Sequence, residues 1–201
     1  MGGIVKILKK LYDWVLSWAD SPYGFWALVI LAFAESSFFP VPPDVLLIAL
    51  VLGEPKKAFK FAFACSIASI AGGLLGYGIG HFIWEQVDNF FFHYVPGFTP
   101  ELFALIQKNY QTYGFWYVFT AGFTPIPYKV FTIGAGVFQL DIMEFFIASL
   151  LSRSARFFIV SALLYKFGEP IKDFIDKYFN LLSILFVVLL VLGFVVIKMI
   201  F

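Results

Sequence analysis

Apolar residues dominate the chain in five long stretches, at about 23–53, 59–84, 113–138, 142–165 and 179–201, with polar residues gathered between them. The second, fourth and fifth are long enough for continuous spanning helices, which need about 20 apolar residues. The first and third are interrupted near their centres by prolines, Pro40, Pro42 and Pro43 in one and Pro125 and Pro127 in the other. Proline has no N–H to donate and its ring clashes with the preceding turn, so neither stretch can be one helix. Each is expected to form two half-helices with a break at membrane depth. Ahead of them, Ile4, Val5, Leu8, Leu11, Tyr12 and Val15 share one helical face, with Lys6, Lys9, Lys10 and Asp13 on the other. That spacing predicts a retained amphipathic helix over residues 1–20 rather than a cleaved signal. It either lies on the cytoplasmic membrane surface, lysines toward anionic headgroups, or packs on the protein itself.

Lysine positions decide how the breaks are threaded, because cytoplasmic loops are enriched in Lys and Arg. If both broken stretches enter and leave on one face, Lys6, Lys9, Lys10, Lys56, Lys57, Lys60, Lys166, Lys172 and Lys177 share the cytoplasmic side, leaving Lys108 and Lys198 outside. If both span, Lys56, Lys57 and Lys60 move outside and the asymmetry falls. A re-entrant arrangement is therefore expected, with three full spans and with residues 85–110 and the C-terminus outside. The two breaks also match each other. The stretch from Pro40 to Ile48, PVPPDVLLI, aligns without gaps on Pro125 to Ile133, PIPYKVFTI, and each leads into a spanning helix. The expected fold is thus an all-α integral membrane protein. A membrane domain over 21–170 holds two inverted repeats, about 21–84 and 110–167, each a Pro-broken re-entrant hairpin plus a spanning helix. A C-terminal spanning helix follows in 171–201.

Composition agrees: 61% of residues are hydrophobic and 13% charged, against about a quarter charged in soluble domains. Aromatics reach 21%, which suits a lipid-facing surface. A net charge of +1 offers nothing to nucleic acid. One cysteine, Cys65, and two histidines, His81 and His93, supply no metal-binding pattern, so neither metal nor cofactor is expected. Both histidines read as surface residues at the outer interface. Gly72, Gly73, Gly76 and Gly80 form a small-residue stripe that permits close helix approach, the alternative being a smooth path for a headgroup; Gly134 and Gly136 repeat it in the second unit.

Five ionisable residues stand out inside apolar runs: Glu35, Asp44, Lys129, Arg153 and Arg156. Each costs about 2.5–3.5 kcal/mol at a helix centre, so each needs a partner or water. Lys129 holds in the second break the position that Asp44 holds in the first. Two readings follow. The charges neutralise one another and fix the packing, or the surplus of one base leaves room for an anion. Guanidinium groups bind phosphate bidentately, so Arg153, Arg156 and Lys129 are the candidate phosphate-binding residues. Desolvation favours the neutral form of a carboxylic acid, which makes Glu35 and Asp44 the candidates for exchanging protons.

At these residues the chain resembles the DedA family of membrane proteins, also called the VTT or SNARE-associated domain family, most closely its YqaA-like branch. The carrying stretches are ESSFFPVPPD at 35–44, GFTPIPYKVFTI at 122–133 with Gly136, and SRSARF at 152–157. The resemblance implies opposed re-entrant loops and movement of a phosphate-containing lipid, undecaprenyl phosphate or a phospholipid, by a flippase or scramblase of the prokaryotic plasma membrane. It implies dependence on proton-motive force, with Glu35 and Asp44 in the places of the family acids. Many members of the family carry two arginines around the second break; here Gly122 and Lys129 stand near those places. A transporter of small ions or solutes is the alternative, and a purely structural protein another. An intramembrane lipid phosphatase fits poorly, since no histidine lies near the cluster as a base.

Overall fold

The computed structural model describes residues 17–18, 21–95, 99–124, 126–168 and 170. The helices expected over 1–20 and 171–201 lie almost wholly outside the described residues, as does Pro125. Among the described residues there are six α-helices and no strand. They are α1 (Gly24–Ser37), α2 (Asp44–Gly53), α3 (Ala58–Tyr94), α4 (Pro100–Phe123), α5 (Tyr128–Val137) and α6 (Ile142–Gly168). A 3-10 turn, Pro55–Lys57, joins α2 to α3.

Both proline clusters end a helix. The N–H groups of Phe38 and Phe39 both donate to the Ala34 carbonyl, closing α1, and α2 starts directly after Pro43. In the second unit α4 ends at Phe123 and α5 starts after Pro127. With its 3-10 lead-in, α3 is long and apolar enough to cross a bilayer, and so is α6, whereas α1 and α2 are shorter apolar helices.

One boundary differs from expectation. The helix of the apolar stretch at 59–84 does not end with it: α3 runs on to Tyr94 and α4 begins at Pro100, so most of 85–110 is helical. Glu85, Gln86, Asp88 and Asn89 interrupt the hydropathy without interrupting the helix. At about 1.5 Å per residue, the 37 residues of α3 reach about 55 Å, well beyond a hydrocarbon core of about 30 Å. The extension is held to α4 by aromatic contacts, with the Trp84 and Phe103 rings stacked 4.9 Å apart.

The buried apolar residues fall into two clusters. The first joins Leu28, Leu31 and Ala32 of α1, Leu46, Leu47 and Leu50 of α2, Phe61, Ala62 and Cys65 of α3, and Phe157 and Leu164 of α6. The second joins Val118 and Ala121 of α4, Tyr128 and Ala135 of α5, and Phe145 and Ala148 of α6, with Leu74 and Tyr77 of α3 against it. Along α3 the first cluster precedes the second; along α6 the order is reversed, so these long helices run antiparallel. Between the clusters both turn polar, with Ser69 on α3 and Ser149, Ser152 and Arg153 on α6 all buried. The glycines make this packing possible. A Cβ on Gly72 would overlap the Phe33 carbonyl, and one on Gly80 the Ile133 carbonyl, so α3 lies against the backbones of α1 and α5. Gly136 returns the contact onto the Tyr77 carbonyl. Outward faces are apolar, as Ile30 at 66% and Trp116 at 62% exposed illustrate. Such a surface is an aggregation liability in water and suits lipid.

Candidate functional site

Breaking a helix away from water leaves carbonyl groups without intrahelical partners, and each needs another donor. Here lysine, arginine and threonine side chains supply them, Lys129 and Thr132 from the opposite unit and Arg156 from within the second. The Lys129 ammonium donates to the Phe39 carbonyl at 3.2 Å, and the Arg156 guanidinium to the Thr124 carbonyl at 2.6 Å. The Thr132 hydroxyl lies 3.1 Å from the Ser36 carbonyl and 3.0 Å from that of Lys129. Within the first unit, the Ser37 hydroxyl donates to the Gly72 carbonyl at 2.9 Å. The two breaks are therefore tied to each other at the level of the polar belt.

All five charges singled out in the sequence meet there. Glu35 sits in the last turn of α1 and Asp44 opens α2; Lys129 is the second residue of α5, and Arg153 and Arg156 project from α6. The arginines do not act as a pair on one face toward a common space. Arg153 Nη2 donates to Glu35 Oε2 at 2.9 Å, and Arg156 grips Asp44 as a fork, Nε to Oδ1 at 3.0 Å and Nη2 to Oδ2 at 2.9 Å. Among the described residues Lys129 pairs with no carboxylate. The surplus base is thus Lys129. Of the prolines, Pro43 is buried against the core, Pro40 and Pro42 are exposed, and Pro127 lies directly ahead of α5.

The two ion pairs sit in unlike surroundings. The side chains of Arg153 and Glu35 are 3% and 13% exposed, those of Arg156 and Asp44 18% each. Arg153 lies over the rings of Tyr128 and Phe157, 4.8 and 4.7 Å from their centroids, and its Nε donates to the Ser69 hydroxyl at 2.5 Å. Arg156 and Asp44 instead border a cavity of about 230 Å³ with Phe123, Ile159 and Val160. Gly122 has no room for a side chain: its Cβ would overlap the Ser152 hydroxyl and lie 3.5 Å from Arg153 Cδ. Positive charge reaches this level from α6.

Several contributors escaped the sequence reading. Ser36 and Ser69 hydroxyls lie 2.7 Å apart, and the Tyr128 hydroxyl donates to Ser149 at 2.6 Å. Glu144, a sixth ionisable residue and third acid inside an apolar run, accepts the Phe115 N–H at 2.9 Å. The run from Ile142 signalled Glu144 on the same rule that found the others; single hydroxyls in apolar sequence carry no such signal. His81 and His93 are exposed, as expected, and no cluster that could hold a metal occurs among the described residues.

Comparisons with known proteins agree with this construction. The model of the VTT domain matches residues 41–166, from the first break almost to the end of α6. An uncharacterized protein of Haemophilus influenzae is 37% identical over 96% of this chain and all of its own length. An uncharacterized protein of Histophilus somni is 35% identical over 79% of this chain and 82% of its own. A third, from the archaeon Methanocaldococcus jannaschii, is 26% identical over 67% of this chain and 79% of its own. No solved structure matches the chain. Members of the family are membrane proteins proposed to act as transporters or flippases, and the family is generally not enzymatic. With the matched domain covering most of its length and both proline breaks joined by the charged belt, this chain belongs to the VTT domain, or DedA, family of membrane proteins.

Proposed function

We propose that the chain moves a phosphate-bearing lipid between leaflets, as a flippase or scramblase, with the headgroup passing at Arg156 and Asp44. The carrying observation is the Arg156–Asp44 fork at the edge of the 230 Å³ cavity, between the start of α2 and the end of α4. A phosphate presents the same pair of oxygens to a guanidinium as a carboxylate does. It can take the place of Asp44 on the guanidinium. Asp44 is the proposed site of proton exchange, so that anion entry and proton uptake meet at one residue. Lys129, with no carboxylate of its own, adds positive charge beside the first break.

The re-entrant, inverted arrangement belongs to this reading. Both helices around the first break pack into one apolar cluster and both around the second into the other, which supports hairpins entering from opposite faces. The lysine distribution favours a cytoplasmic N-terminus, and membership of the family favours the plasma membrane of a prokaryote.

The test is purified protein in liposomes carrying a headgroup-labelled phospholipid or polyprenyl phosphate, with a pH gradient imposed. Arg156→Gln removes a charge-assisted contact of roughly 1.5–3 kcal/mol, so translocation should fall about tenfold to a hundredfold. A neutral diacylglycerol probe should show no dependence on Arg156. Unchanged movement of the phosphate lipid by the folded variant would overturn the assignment, and flux of inorganic phosphate in its place would favour a solute transporter.

A further inference from the structure

The two ion pairs invite one shared role, yet their surroundings differ in every respect that bears on transport. Glu35 and Arg153 do not line the cavity that Asp44 and Arg156 border. An anion that took Glu35's place would have to reach a guanidinium that lies 4.8 and 4.7 Å from the centroids of the Tyr128 and Phe157 rings and whose Nε is held by Ser69. Glu35 is itself tied down, with the Ser36 hydroxyl 3.3 Å from the same Oε2 that Arg153 contacts. A guanidinium fixed on this many sides has little freedom to exchange partners.

From this we infer a division of labour: Arg156 and Asp44 exchange with the cargo, whereas Arg153 with Glu35 is a static brace that positions the two breaks and carries neither phosphate nor protons. The contacts show what the brace positions. Arg153 comes from α6, Glu35 from the last turn of α1, Ser69 from α3 and Tyr128 from the first turn of α5. Through Tyr128 it fixes the start of the helix whose next residue, Lys129, reaches the Phe39 carbonyl of the opposite break. Through α6 it sets the height of Arg156, one turn further along. The brace thus holds Lys129 and Arg156 at a set separation across the belt. Arg153 is a positioning residue, and Glu35 is there as its counter-charge.

The inference rests on the lipid-transport reading, and the experiment separates the two. Four proteins are reconstituted in the same liposomes: the parent, Arg153→Met, the double variant Glu35→Met with Arg153→Met, and Arg153→Lys. Thermal unfolding in detergent and phosphate-lipid translocation across a range of pH are read on each. Removing one partner of a buried pair strands a charge, whereas replacing both with apolar side chains of similar length is often neutral. Arg153→Met should therefore unfold at clearly lower temperature and the double variant should recover. The recovered double variant should still move lipid, slowed by about tenfold through misplacement, with the pH profile of the parent. Arg153→Lys keeps the charge but loses the Nε contact with Ser69 and the guanidinium over the two rings. It should fold, slow translocation and leave the pH profile in place, which a role in stability alone would not produce. A double variant that folds like the parent but moves no lipid, or loses its pH response, overturns the brace and returns Glu35 to proton handling. If the parent itself moves no lipid, the transport reading fails instead. Unfolding then decides alone: recovery in the double variant supports the brace, and no recovery overturns it.

Discussion

At the scale of single residues, the polar belt combines donors to carbonyls at the helix breaks with side-chain pairs that join the helices to one another. Tyr128 shows how two contributions on one side chain can be separated. Its hydroxyl bonds Ser149 while its ring covers Arg153. Tyr128→Phe keeps the ring and should cost only about 0.5–1.5 kcal/mol. Tyr128→Ala opens a fully buried site and should cost roughly 3–5 kcal/mol. Unfolding in detergent measures both; equal losses would show that the hydroxyl, not the ring, is what matters. Thr132→Val tests the tie between units. It removes the donor to the Ser36 carbonyl, and an unsatisfied buried acceptor costs about 1–3 kcal/mol, again read as lowered thermal stability. The five charges were legible in sequence because a charge in an apolar run breaks a local rule, and such violations concentrate at functional sites. Their pairing was not legible. Which arginine meets which acid depends on how α6 crosses α1 and α2, and a spacing of three residues between Arg153 and Arg156 places them near each other without naming a partner.

At the scale of elements, the glycines of α3 are unequal although they look alike in sequence. A Cβ at Gly72 would strike the backbone carbonyl of Phe33, which cannot rotate away, whereas one at Gly78 would meet only the Phe82 ring at 4.0 Å. Gly72→Ala should therefore separate α1 from α3 and destabilise the protein. Gly78→Ala should be neutral or stabilising by up to about 1 kcal/mol, because a helical glycine is replaced at no steric cost. Melting temperatures of the two variants check this, and similar losses in both would contradict the packing described. The helix breaks themselves were readable from Pro40 to Pro43 and Pro127, since proline acts locally. The continuation of α3 to Tyr94 was not. Hydropathy marks where apolar sequence stops, while the helix carries on through residues whose other face is covered by Trp84, Phe92 and Phe103.

At the scale of the whole molecule, the proposed threading predicts which surfaces face which compartment. In a Cys65→Ala background, single cysteines at Lys57 and at Asn89 should label from opposite sides with a membrane-impermeant maleimide. Asn89 should react in intact cells and Lys57 only after permeabilisation. Labelling of Lys57 from outside and of Asn89 only after permeabilisation would mean that the first broken stretch spans and that the lysine count misleads. Antiparallel α3 and α6, with a cluster at either end and the charges between, make the molecule symmetric in outline but not in charge. The first break carries acids, and the cations come from α5 and α6.

That order along the chain has a consequence for biogenesis. Glu35 and Asp44 are synthesised more than a hundred residues before the arginines that neutralise them. A nascent chain that has delivered only its first half to the bilayer holds two stranded acids, a state that invites retention at the insertion machinery or proteolysis. Completion of α6 ends that state, so the last of the six described helices acts as a built-in checkpoint: only a chain translated through Arg156 can close its own membrane core.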